Sequence, residues 1–201
     1  MPNSLAQALP RARALRRRAY AWRRELPVAK QVALALGMAA LTGACAQVRV
    51  PLPFSPVPLT GQTFAVLLAG VLLGGGFGAL SQIIYVALGA AGVPWFTGFG
   101  AGLGWLAGPT AGYLFGFVAA AALIGWVSDA SVRWRALVPQ MALMAGGSAL
   151  ILLCGAAHLA IVLGLGWPQA MLVGVVPFLA GDALKALAAA LAAAALLPKS
   201  D

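Results

Sequence analysis

The sequence predicts an all-α membrane protein, a bundle of about six transmembrane helices, and three observations carry that prediction. Of the 201 residues, 62% are hydrophobic and only 8% charged, whereas a soluble domain carries about a quarter charged residues. No Asp, Glu, Lys or Arg occurs in the 79 positions from Val50 to Ser128, nor in the 46 from Ala136 to Gly181. A water-soluble fold of this size has too little interior to hide so much apolar surface. The apolar stretches are also continuous and rich in Ala, Leu and Gly. Lipid leaves only helices and closed barrels able to satisfy the backbone, and a barrel would show short alternating segments.

The elements follow in chain order. A first span is expected over 28–48, after a basic cytoplasmic arm, 1–27, that precedes a membrane domain at 28–198. The run PLPFSPVP (51–58) forbids helix, because proline lacks the amide donor and restricts the residue before it. Spans at 60–73 and 77–92 are short and hinge at Gly74-Gly75-Gly76; a lone span needs about 20 apolar residues, so both require protein neighbours. A Gly-rich connection, 93–108, carries Trp95, Phe96, Phe99 and Trp105 and suits a loop outside the membrane whose backbone approaches a ligand. Interfacial anchoring is the other reading of Trp105. Pro109 opens a fourth span, 109–128, in which Gly112 and Gly116 form a close-packing stripe. The polar turn DASVRWR (129–135) leads to spans at 137–163 and 168–197, the last kinked at Pro177.

Charge sets the orientation. Six spans put both termini on one side, together with Arg11, Arg13, Arg16, Arg17, Arg18, Arg23, Arg24, Lys30, Arg133, Arg135 and Lys199, which are 11 of the 13 basic residues. The positive-inside rule makes that side the cytoplasm and the location the cell membrane. The net charge of +9 is then a topology signal and an attraction to anionic membrane lipids, not a nucleic-acid footprint. The first 26 residues lack the apolar core of a cleaved signal peptide. Cys45 and Cys154 stand in separate apolar stretches and read as small buried hydrophobes.

The chemistry is sparse. There is no GxxxxGK[ST] phosphate loop, no metal-ligand cluster and no nucleophile–base constellation, and His158 has no acidic or second imidazole neighbour in sequence. No catalytic residue, metal or cofactor is expected, and an intramembrane enzyme acting on lipid is the weaker alternative. Asp182 and Lys185, three apart on one helix face within the last span, are the exception. Ionisable residues there are costly and mark function, unless they merely neutralise each other. As a functional pair they would form the polar end of a small-ligand pocket. On the first span, Ala35, Ala39 and Gly43 line one small-residue stripe and Ala40 and Ala44 the next. Either stripe could admit a neighbouring helix of this chain or of a partner.

Four stretches, VRVPLPFSPVPLTGQTFAVLLAG (48–70), GALSQIIYVALGAAGVPWF (78–96), GPTAGYLFGF (108–117) and GDALKA (181–186), occur in an order that resembles the BioY family of biotin-specific S components. The resemblance covers about 28–197 and departs from the family's paired glycines at Phe99, Ala101 and Ala111. It implies a six-helix protein that captures biotin from outside and works with a transmembrane coupling subunit and two ATPase subunits as an ECF transporter. It also implies ligand contacts at Asp182 and Lys185, with Trp95 and Tyr113 as candidates for ring contact and Gly98, Gly100 and Gly102 as loop positions near the ligand. Ala40 and Ala44 would be partner-docking positions. Asp182 could accept a ureido N–H, and Lys185 could meet the ureido oxygen or the carboxylate. Another vitamin on the same scaffold is the nearest alternative.

Overall fold

The computed structural model describes residues 25–198. Arg11, Arg13, Arg16, Arg17, Arg18, Arg23, Arg24 and Lys199 lie outside the described residues, as does most of the expected arm 1–27. Helix α1 (Val28–Gln47) starts after Pro27, whose carbonyl accepts the amides of Lys30 and Gln31. It buries one narrow stripe, Ala35, Ala39, Thr42, Gly43 and Ala46. The Pro-rich run that follows is an excursion closed at its base by a two-residue antiparallel ladder, β1 (Arg49–Val50) with β2 (Leu59–Thr60), pairing Arg49 with Thr60. Apart from an isolated bridge between Phe96 and Gly100, this is the one β pairing among the described residues, and it lets the closely spaced prolines leave the bundle without orphaned amides. Ser55 Oγ ties the excursion down by donating to the Val173 carbonyl at 2.8 Å.

Helices α2 (Gln62–Leu73) and α3 (Gly75–Ala90) meet at Gly74, whose φ of +82° makes the reversal in a single residue. The turn is therefore tighter than the expected three-glycine hinge, because Gly75 and Gly76 already belong to α3. At 12 residues α2 is short, and none of it is exposed. A Cβ on Gly70 would stand 2.6 Å from the Ala121 carbonyl, and one on Gly78 2.8 Å from Gly70 Cα. Glycine at both positions is what lets three helix backbones touch.

Helix α4 (Ala111–Ala130) is the hub, packed on α2, α3 and α5 (Leu137–Leu163). It begins two residues after Pro109, which sits in the preceding turn. Gly112 and Gly116 face α5, where a Cβ on Gly116 would lie 2.9 Å from Ile151 Cα. The final apolar stretch is split. Helix α6 (Trp167–Gly174) ends in a 3-10 turn at Val176–Phe178, and α7 (Leu179–Leu196) restarts the helix. Pro177 cannot donate to the preceding turn, so the expected kink is a break. Among the described residues four helices are long and apolar enough to cross a membrane, namely Val28–Gln47, Ala111–Ala130, Leu137–Leu163 and Trp167–Leu196 taken across its break; α2 and α3 are shorter.

Candidate ligand-binding site

One cavity opens at the end of the bundle where α1 stops and α2 begins. It is lined by aromatic and aliphatic side chains with a few polar groups among them, the makeup of a small-ligand site. Seven parts of the chain build it, among them α3 through Tyr85 and α5 through Ile151 and Leu152. The Pro-rich excursion gives Val57, Pro58 and Thr60, and α2 gives Gln62 and Thr63. The loop before α4 gives Phe96, Thr97 and Trp105, and α4 itself gives Tyr113, Leu114 and Phe117. Across the break of the last helix stand Phe178, Asp182 and Lys185.

Asp182 is 4% exposed and occupies the first turn of α7, where the helix dipole favours an anion. The Pro177 break creates that helix start at depth within the chain's last apolar stretch. One carboxylate oxygen pairs with Lys185, and the other accepts from Ser148 Oγ at 3.0 Å. Lys185 Nζ also donates to the Thr60 carbonyl at 2.9 Å, which anchors the ladder to α7. Both members of the pair thus have protein partners while lining the cavity, and each keeps hydrogen-bonding capacity to spare. Such pairing is what makes ionisable residues tolerable in an apolar bundle.

A second polar group stands on the α2 and α3 side. Gln62 Nε2 donates to Tyr85 Oη at 2.8 Å, and Gln62 Oε1 accepts from Thr60 Oγ1 at 3.0 Å and Thr97 Oγ1 at 3.4 Å. Tyr85 in turn donates to the Trp95 carbonyl at 3.3 Å. Aromatic rings form the wall: Tyr85 meets Phe96 edge-on at 5.4 Å between centroids, and Phe96 meets Trp105 at 5.8 Å. Tyr113 packs beside Phe178 and donates to the Gly174 carbonyl at 2.6 Å, fixing the end of α6.

Of the residues singled out from sequence, Asp182, Lys185 and Tyr113 line the cavity. Trp95 does not. Its indole donates backwards to the Tyr85 carbonyl at 2.9 Å, and its Cβ would be 2.9 Å from any Cβ at Gly43, so it supports the wall from behind. Gly98, Gly100 and Gly102 shape the loop without lining the cavity. Gly98 and Gly102 have φ of +69° and +98°, and the Gly100 carbonyl accepts the Phe96 amide at 2.9 Å. Gln47 at the end of α1 clamps the same loop through the carbonyls of Trp95 and Phe96 and the amide of Phe99. Trp105, for which sequence left two readings, is in the cavity wall. Ala40 and Ala44 are exposed on the outer face of α1, whereas the neighbouring stripe Ala35, Ala39 and Gly43 is buried inward. Gln62, Thr60, Thr97, Tyr85 and Ser148 went unnoticed in the sequence. The available signal was polar side chains interrupting apolar helices, as at Gln62 and Ser148.

A helical bundle with four helices among the described residues long and apolar enough to cross a membrane, and a cavity lined by aromatic rings and a few convergent polar groups, defines an integral membrane protein with a small-ligand site. The chain belongs to the BioY family, whose pattern matches residues 15–200. It is similar to a protein of Pyrococcus horikoshii named as a probable biotin transporter, with 40% identity over 165 residues covering 82% of this chain and 94% of the relative. It is likewise similar to a biotin transporter of Rhizobium etli, 38% identical over 154 residues, covering 74% and 82%. In fold it is similar to a crystal structure of the S-component for biotin from an ECF-type ABC transporter. That match has a TM-score of 0.77 at 24% identity and covers 84% of this chain and 90% of the other.

Proposed function

We propose that this chain binds biotin on the outer side of the cytoplasmic membrane and serves as the S component of an ECF transporter. The cavity carries the proposal: one deep, aromatic-walled space ending on an acid–base pair, in a chain of the BioY family. Biotin's ureido group offers N–H donors and a carbonyl acceptor, which Asp182 and Lys185 complement, while its fused rings suit Tyr113, Phe96 and Trp105. Gly98, Gly100 and Gly102 set the loop's path over the ligand, and Trp95 holds the wall it closes against.

In this reading α1, α2, α3, α4, α5 and the α6–α7 pair make six spans, with both termini in the cytoplasm. Lys30, Arg133 and Arg135 lie at the ends of helices facing that side, and Arg49 at the opposite end. The protein is not an enzyme; energy comes from a separate coupling subunit and two ATPase subunits. Ala40 and Ala44 form the docking stripe on the coupling subunit's side, since both are exposed and their small side chains let a second helix come close. The protein purified without added ligand should carry biotin, identified by mass spectrometry after denaturation. A different vitamin, or a lipid-derived product, would overturn the reading.

A further inference from the structure

We infer that Arg49 is the residue that recognises the ligand's carboxylate, so that the uncharged polar head enters first and the anionic tail stays at the mouth. The inference rests on the biotin reading above and fixes which way round the ligand lies.

Charge distribution is the first observation. Among the described residues Glu25, Lys30, Asp129, Arg133 and Arg135 stand at one end of the bundle. At the other end, across the segments 48–61, 91–110 and 164–170, Arg49 is the one charged residue. Its guanidinium has no hydrogen-bond or ion-pair partner among the described residues, unlike Lys185, which has two oxygens. A planar fork of five donors left unpaired suits bidentate capture of a carboxylate.

Placement is the second. The ladder puts Arg49 opposite Thr60, the residue whose carbonyl holds Lys185. The loop before α4 bends around the guanidinium: Gly98, at φ +69°, would bring a Cβ to 2.5 Å from Arg49 Nη1 and 2.9 Å from Cζ. Any side chain at 98 would displace the arginine. Arg49 lines an outer vestibule that adjoins the inner cavity, with Pro58, Thr97, Trp105 and Thr110 lining both.

Electrostatics chooses the orientation. A carboxylate pushed inward would stand beside Asp182, adding a second buried anion next to a lysine already neutralised. At the mouth the same carboxylate meets an unpaired cation and remains partly hydrated.

The test pairs a variant with a change in the ligand. Full-length protein in zwitterionic nanodiscs is titrated calorimetrically with biotin and with its uncharged primary amide. Wild type is expected to bind biotin about tenfold more tightly than the amide, the scale of one partly exposed charge-assisted hydrogen bond. Arg49→Gln should weaken biotin about tenfold, leave the amide within twofold, and so erase the preference; Arg49→Lys should restore part of it. Unchanged biotin affinity in Arg49→Gln overturns the inference and leaves the function standing. Equal losses for biotin and amide also overturn it, because the guanidinium would then shape the loop or hold a lipid phosphate. If wild type binds neither compound, the functional reading fails and takes the inference with it.

Discussion

Asp182→Asn is the sharpest probe of the cavity. The substitution keeps the side chain's size and an acceptor for Ser148 Oγ, and removes only the charge. Two consequences follow from the contacts of the wild-type pair. In the folded, empty protein Lys185 loses its counter-ion and keeps only the Thr60 carbonyl. Breaking a buried pair from one side costs about 3–5 kcal/mol; Lys185 retains 15% side-chain exposure, which argues for the lower end. In the proposed binding mode, a charge-assisted hydrogen bond from the ureido N–H would become a neutral one. A hydrogen bond to a charged group contributes about 1.5–3 kcal/mol and a neutral one about 1, so the affinity loss lies near tenfold if the bond weakens and near a hundredfold if it is lost. Calorimetric titration with biotin, alongside thermal unfolding of the empty protein, reads both effects. The expected result is weaker binding by at least tenfold together with a lowered Tm, and the same pattern in Lys185→Ala. Near-normal biotin binding by both variants, in protein that remains folded, would show that the pair serves only to neutralise itself and would refute the proposed contact.

The loop over 93–108 should exchange its amide hydrogens more slowly once biotin is bound, because Phe96, Thr97 and Trp105 line the cavity; identical exchange with and without ligand would remove it from the site. Gly116→Leu should lower Tm by an amount equivalent to about 1–3 kcal/mol, since its Cβ would already crowd Ile151 Cα at 2.9 Å; an unaltered melt would mean that α4 and α5 can separate freely. Ala40→Trp and Ala44→Trp should bind biotin normally yet fail to co-purify with a coupling subunit, as both positions are exposed. Retained co-purification would move the docking surface elsewhere.

How much of this was readable beforehand depended on whether the cause was local. The proline run, the polar turn at 129–135 and the break at Pro177 are set by chemistry within a few residues, and each left a mark in the sequence. Asp182 and Lys185 stood out because charge is rare in an apolar stretch and their spacing of three needs only helix geometry. Gln62 and Tyr85 are 23 residues apart and meet across two helices, and no local pattern announces that meeting. Trp95 illustrates the opposite case, an aromatic that is not among the residues lining the cavity. An aromatic in a Gly-rich loop suggested ring contact, but its orientation is set by the Tyr85 carbonyl and by the absence of a Cβ at Gly43, facts of packing that the loop itself does not contain. The short ladder was invisible because two paired residues produce no periodicity.

The shortness of α2 has a consequence for how the protein meets its membrane. Twelve residues rise about 18 Å, well under the hydrocarbon thickness of about 30 Å. Since no residue of this helix is exposed, it owes nothing to hydrophobic matching. Gln62 and Thr63 at its start face the cavity, so the missing turns leave the room that the cavity occupies. Thinning or thickening the bilayer would then fall on the longer helices α1 and α5, whose outer faces are exposed, while the floor of the cavity is held by protein contacts alone.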